Sequence, residues 1–397
     1  MSTAYDALLA QIKKDGSYLL EQRRWLHRHP EIAREEFETQ KKIERELDAL
    51  GIPHSRVGGT GIAAELKGNL EGKKTIVLRA DTDALPIQET ANIPCRSENP
   101  GKMHACGHDV HTASLLGAAK YLAEHKESFG GRVRFVFQPA EEVGYGARAV
   151  IREGVLTGAD RCFGIHVASN LRAGTIAVVP GACNASCDYV RITVHGVGSH
   201  ISTPQDGVDA LYIASQIVVG SQALITRRIS PMDNVLIGFG KLASGSVYNV
   251  VPHEAILEGT IRAFKPEQRE QVKAELAALA ENTAAIYGGT AEVEIRDYAS
   301  PLINDASCCE EVQKTAIGLF GLEKVITSRT PSLGADDMAD FILGVPGCYA
   351  YVGSGNPERP GTCLPHHNGD FEVDEDCLFV GAAIYAGYAI DYLNGEG

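Results

Sequence analysis

The chain has 397 residues, a formal net charge of −14, 44% hydrophobic and 22% charged residues, which excludes a largely disordered chain and at this length favours two domains over one core. The acidic balance excludes a nucleic-acid-binding reading, and no run of about 18 apolar residues predicts a membrane span. Ten cysteines are too sparse for a disulfide scaffold, and no basic-then-apolar leader opens the chain, so reduced thiols in a cytoplasmic protein are expected.

In chain order, residues 18–27 read as a helix that Pro30 ends, and residues 37–50 as an amphipathic helix stopped by Gly51. Strand and helix patterns then alternate: TIVLRA (75–80) as strand, 112–125 as helix, RVRFVFQ (132–138) and CFGIHV (162–167) as strands. That alternation predicts an α/β layer with a largely parallel central sheet flanked by helices. From residue 188 the pattern changes. Residues 189–195 alternate, 208–227 read as helix, 235–242 and 255–264 as strands, 266–287 as a helix opened by Pro266, and 291–298 as strand. The order β-α-β-β-α-β is ferredoxin-like, and residues 188–298 are long enough for a complete inserted α+β domain. Helix 308–320, short helix 335–343, strand 348–353 and helix 374–393 follow, so 1–187 and 299–397 are read as one interrupted catalytic domain. Residues 58–61 and 353–361 read as Gly-rich loops.

The chemistry concentrates in four places. MHACGHDVH (103–111) sets Cys106 and His108 two positions apart in a loop before a helix, where thiolate and imidazole can converge on zinc or a borderline-soft neighbour. QPAEE (138–142) puts Glu141 and Glu142 at a strand exit pointing different ways, so that one can bind a metal while the other serves as a base. His166 lies inside an apolar strand, where a core histidine is the plainer reading, and His366 and His367 sit in a Gly/Pro-rich loop. Cys106, Glu142 and His166 nevertheless fall at or near strand exits of one inferred sheet, where open α/β folds build their sites. With Cys106, His108, Glu142, His166 and one of His366 or His367, the donors number five. That is too many for one catalytic zinc and suits two divalent ions about 3.5–4 Å apart. Two such cations outweigh one thiolate and one carboxylate and would leave a positive centre in an acidic protein.

The segments RRWLHRHPEIAREEFET (23–39), LRADTDALPIQE (78–89), MHACGHDVHTASLLGAA (103–119), FQPAEE (137–142), GVGSH (196–200), YNVVP (248–252), GTIRAF (259–264), GADD (334–337) and HHNGDFEVDED (366–376), in this order, resemble the di-metal aminoacylase/carboxypeptidase family. The branch is that of hippurate hydrolase, bacterial N-acyl-amino-acid amidohydrolases and plant auxin-conjugate hydrolases. The resemblance implies that Cys106, His108, Glu142, His166 and His367 hold two divalent metals of Mn, Zn, Co or Ni type. It implies that Glu141 is the general base toward a metal-activated water, and that His200, Asn249 and Arg262 bind the substrate carboxylate or scissile carbonyl. Asp81 matches the carboxylate that orients a ligating histidine. The substrate would be a small N-acyl amino acid or, on the alternative reading, a dipeptide. The inserted satellite domain would dimerise and carry His200 toward the partner subunit's site. Ile201, Ser202 and Thr203, the run Asp336-Asp337-Met338 and the run Asn368-Gly369-Asp370 depart from the family pattern, which bears on acyl-group and side-chain specificity.

Overall fold

A computed structural model describes residues 2–395, and the chain divides into two compact units. The larger comprises Met1–Gly181, Asn304–Thr330 and Asp337–Gly397; the smaller comprises Ala182–Ile303 and Pro331–Asp336.

The larger unit is built on an eight-stranded sheet. Its order is His54–Val57, Gly61–Lys67, Gly130–Gln138, Leu70–Asp81, Arg161–Arg172, Gly347–Gly355, Ile176–Ala177, Val325–Ile326. The four central strands, from Gly130–Gln138 to Gly347–Gly355, run parallel, whereas the hairpin His54–Val57/Gly61–Lys67 and the strand Ile176–Ala177 pair antiparallel. Ile76, Val77, Leu78 and Ala80 are all fully buried, so the central strands are covered on both faces, as parallel sheets are. Helices His108–Glu124 and Cys377–Asn394 are buried nearly all round. The latter is long and apolar enough to cross a membrane by length and composition, but 83% of it is buried inside the protein, where it serves as a core helix.

Helix Phe37–Ala49 and the central strands lie where the pattern places them. The structure also contains a helix Ser2–Lys14 and the hairpin His54–Val57/Gly61–Lys67, which the pattern does not reveal. Gly61 opens a strand and Gly353–Gly355 ends one, so neither Gly-rich stretch is wholly loop. His108 is already helical, four residues before the expected start.

In the smaller unit four antiparallel strands run in the order Val235–Ser244, Glu254–Ala263, Cys187–His195, Thr290–Ala299. Numbered along the chain this is 2-3-1-4, the ferredoxin-like arrangement. Alternation in Cys187–His195 sends Val190, Ile192 and Val194 into a core with Ile213 and Ile217 of helix Ala210–Arg227 and Leu276 of helix Pro266–Ile286. Asp188, fully buried at that strand's start, accepts two hydrogen bonds from Arg269 at 2.8 and 2.7 Å.

Candidate metal centre

Parallel strands end at one edge of the larger sheet, and the donors gather there. Asp81 ends Leu70–Asp81 in register with Gln138, the last residue of Gly130–Gln138. The loop carrying Cys106 reaches the same edge and turns sharply into helix His108–Glu124 at Gly107, whose φ of 89° lies in the left-handed region. A Cβ there would stand 2.4 Å from Val167 Cγ2, so only glycine lets the loop sit against that strand. Cys106 and His108, on either side of this turn, both come close to His166, with Cys106 Sγ 3.4 Å from His166 Nε2.

The histidine tautomers follow from their acceptors. His108 Nδ1 donates to the Asp83 carbonyl at 2.8 Å and His166 Nδ1 to the Val167 carbonyl at 2.7 Å, which leaves each Nε2 with a lone pair for a cation. His111 is committed differently. Its Nδ1 donates to Asp81 at 2.6 Å, and its Nε2 accepts the Val167 N–H at 2.9 Å, so neither nitrogen remains for a metal. Asp81 therefore orients His111, while its other oxygen is 2.7 Å from Arg79 Nη1 and 3.8 Å from His108 Nε2. The residue that fixes the His108 ring is Asp83.

After Gln138 the chain turns through Pro139 and Ala140. Ala140 has φ 55°, a left-handed conformation that costs a non-glycine residue roughly 1–2 kcal/mol. The turn is held on several sides. Glu36 accepts the Ala140 N–H at 2.8 Å, and the two oxygens of Asp83 accept the Glu141 and Glu142 N–H groups at 3.0 Å each. Gly146 packs against it so closely that a Cβ would be 1.6 Å from the Pro139 carbonyl oxygen. Two carboxylates thus occupy a run of three successive amides that would otherwise form an anion nest. Neither Glu36 nor Asp83 stands out by composition; the hints were Asp83 two positions after Asp81 and Glu36 in EEFET.

Among the donor groups whose ligand atoms lie within 4.8 Å of one another are Cys106–His108–His166, Cys106–Glu142–His367, and His108–Glu141–Glu142. Cys106 is common to the first two. Among the described residues His108 Nε2 is buried without a hydrogen-bond partner, a loss of about 1–3 kcal/mol that a bound cation would relieve. Burial and Glu142 push the Cys106 thiol up. Hydrogen bonds with Cys106 and Glu142 raise His367 to about 10. Burial alone would lower His108, but Asp81 and Cys106 overcome it and hold this imidazole well above its ordinary value. Burial, His111 and His366 hold His166 well below its own. The cluster attracts positive charge at His108 and His367, and its thiol, imidazole and carboxylate donors fit a borderline divalent ion in place of those protons.

The two adjacent histidines diverge. His367 has φ 61°, with its N–H donating to the Ala105 carbonyl at 2.9 Å, and its Nε2 lies 3.3 Å from Glu142 Oε1. His366 donates Nδ1 to the Cys106 carbonyl at 3.1 Å, and its ring packs on Phe371 with centroids 4.7 Å apart. His367, not His366, joins the donor group.

His200, Asn249 and Arg262 belong to the smaller unit. His200 is exposed on the short strand Ser199–His200, paired with Val250–Val251 beside Asn249, whose carbonyl accepts the Ile201 N–H at 3.1 Å. Its Nδ1 accepts the Ser202 N–H at 3.1 Å and lies 2.7 Å from the Ser202 hydroxyl. Arg262 lies opposite Leu236 on Glu254–Ala263 and is half-buried.

Residues 77–391 match Peptidase family M20/M25/M40. N-acetylcysteine deacetylase of Bacillus subtilis (strain 168) is 38% identical over 377 residues, 94% of this chain and 96% of that protein. Thermostable carboxypeptidase 2 of Saccharolobus solfataricus is 36% identical over 394 residues, 98% and 99% of the two chains. The crystal structure of Bacillus subtilis YXEP protein, a dinuclear metal binding peptidase from the M20 family, superposes with TM-score 0.83 and 36% identity over 96% of this chain and 99% of that one.

Proposed function

The chain belongs to peptidase family M20/M25/M40 and is a metal-dependent amidohydrolase; from that premise we propose that it cleaves the amide bond of N-acyl amino acids, with two divalent cations that the Cys106-centred donor groups would hold. The observation that carries this reading is the pair of donor groups sharing one thiol, with Glu141 beside the ligand Glu142. Cys106, His108, Glu142, His166 and His367 would hold the ions, and the mixed soft and hard donors fit Mn, Zn, Co or Ni. Bound there, such ions supply Lewis acidity, polarising the amide carbonyl and lowering the pKa of the attacking water.

Glu141 takes the proton from that water and returns it to the departing amine. Asp83 keeps Glu141 and Glu142 in fixed relation to His108, because its carboxylate and carbonyl bond all three. From the satellite domain, His200 would reach the partner subunit's site and, with Asn249 and Arg262, bind the substrate carboxylate or the scissile carbonyl. Likeness to a carboxypeptidase favours a second reading, with a dipeptide as substrate. Both readings share an amide nitrogen that belongs to an amino acid with its carboxylate intact.

We further assign residues 188–298 to a satellite domain that forms a homodimer; the edge strand Val235–Ser244, with Leu236 and Leu242 half-exposed, supports this. Among the described residues none of the ten cysteines forms a disulfide, which fits a cytoplasmic enzyme. The deciding experiment pairs Glu141→Gln with a substrate panel of hippurate, N-acetyl and longer N-acyl amino acids and dipeptides, with Mn, Zn or Co added. Glu141→Gln is expected to keep both metals and lose about 10²–10⁴-fold in turnover. Wild-type turnover in that variant, or hydrolysis of no member of the panel, refutes the assignment.

A further inference from the structure

Glu36 lies outside every donor group, more than 100 residues before Glu141, yet its side chain is fully buried against the turn that carries the proposed base. Its Oε1 accepts the Ala140 N–H at 2.8 Å and its Oε2 the Thr60 hydroxyl at 2.6 Å. A carboxyl group in a site this dry is an expensive choice for satisfying a hydroxyl and one amide, and burial raises its pKa from the usual carboxylate value. The geometry explains the choice. Ala140 is held at φ 55°, and the direction in which the next two side chains leave the chain depends on that residue keeping its left-handed conformation. Asp83 fixes the amides of Glu141 and Glu142 from one side, but nothing in Asp83 reaches Ala140. Without Glu36 the Ala140 N–H would be a buried donor left unmade, and the turn could relax by rotating toward the right-handed region. That rotation would swing Glu141 even while Asp83 still held its amide.

We propose that Glu36 is a positioning residue for catalysis: it aims Glu141 through the backbone of Ala140 without touching substrate or metal. The inference rests on the proposed role of Glu141 as base. Its requirement is a hydrogen-bond acceptor at Oε1, not a negative charge. Glutamine meets that requirement, since its amide oxygen can accept from Ala140 while its amide nitrogen donates to the Thr60 oxygen.

The test uses the full-length, metal-loaded enzyme with an N-acetyl amino acid, comparing Glu36→Ala, Glu36→Gln, Thr60→Val and Glu141→Gln for kcat, KM, metal content and melting temperature. Displacement of a catalytic group by about 1 Å costs about 100-fold, so Glu36→Ala is expected to lose about 10- to 100-fold in kcat with KM nearly unchanged and two metals retained. Glu36→Gln is expected to recover to within about threefold of wild type, and Thr60→Val, which leaves the Ala140 bond intact, to stay there. Wild-type kcat in Glu36→Ala overturns the proposal, as does metal loss from that variant, which would move the effect to Glu142. A Glu36→Gln enzyme as impaired as Glu141→Gln overturns it as well, and this arm decides the matter even where the alanine variant does not fold. If Glu141→Gln is itself active, the reading of Glu141 fails first; if Glu141→Gln is dead and Glu36→Ala fully active, the positioning role alone fails.

Discussion

Gly107→Ala tests the idea that a left-handed glycine is what brings Cys106 and His108 onto one centre. The substitution has two separable costs. The φ of 89° is strained for alanine, worth roughly 1–2 kcal/mol. The added methyl would also lie 2.4 Å from Val167 Cγ2, far inside ordinary carbon contact, and forcing a methyl into a packed core costs roughly 1–3 kcal/mol. Together these give about 2–5 kcal/mol. In a Val167→Ala background the colliding Cγ2 is gone, so only the backbone strain of about 1–2 kcal/mol remains. A double-mutant cycle should therefore show the two changes coupled by about 1–3 kcal/mol, with the pair less damaging than the sum. Native-state hydrogen exchange of the helix His108–Glu124 amides reads this free energy locally, without assuming that the two units unfold together. Additivity within about 0.5 kcal/mol would refute the steric part of the reasoning, and a stability loss below about 1 kcal/mol in Gly107→Ala would refute both parts.

Asp109, next to His108, accepts hydrogen bonds from the buried Arg23 Nε and from His27 Nδ1, each at 2.8 Å. Asp109→Asn leaves that guanidinium with only the more distant Glu375, 3.3 Å from its Nη1, as counter-charge and is expected to destabilise by up to about 3–5 kcal/mol, measured as a shift in the denaturant midpoint; an unshifted midpoint contradicts it. The same carboxylate sets an acid limit. Burial alone would raise its pKa, but Arg23 and then His27 hold it well below the usual carboxylate range. A folded value below the unfolded one, about 3.9, means that the contribution is complete above that pH and is lost as pH falls toward the folded value. Below about pH 4 wild type should therefore lose stability more steeply than Asp109→Asn, and parallel acid-denaturation curves would rule this out. Chelation is expected to abolish turnover and lower the melting temperature, since a ligand at about 100 times its Kd contributes about 2.7 kcal/mol; an unmoved melting temperature would argue against bound metals at the donor groups.

The central strands were legible because their apolar runs have strand length and turn residues at their ends, and the ferredoxin-like order because Val190, Ile192 and Val194 alternate cleanly. Ile176–Ala177 and Val325–Ile326 have two residues each, too few to show any period. The hairpin around Gly58 and Gly59 was masked because glycine signals a turn without saying whether strands flank it. In the site, donor types and strand-end placement pointed to Cys106, His108 and Glu142. The residues alone left His366 and His367 open and the family resemblance chose His367; the backbone angle that sets its ring beside Glu142 is not encoded in spacing. Glu36 and Asp83 escaped because their partners are backbone amides, which carry no residue identity for a sequence to display.

The discontinuity of the larger unit has a consequence for how the enzyme comes off the ribosome. Ala182–Ile303 is nearly the whole of the smaller unit and is contiguous, so it can fold as soon as it emerges. The donors, by contrast, are strung from Cys106 to His367, and His367 emerges 225 residues after Glu142. At about 5–20 residues per second that is a delay of roughly 10–45 s, during which Cys106 and His108 are present without their last partner. Metal capture at the shared centre is thereby tied to completion of the chain: a polypeptide stopped at residue 360 should carry a folded insert and no second ion.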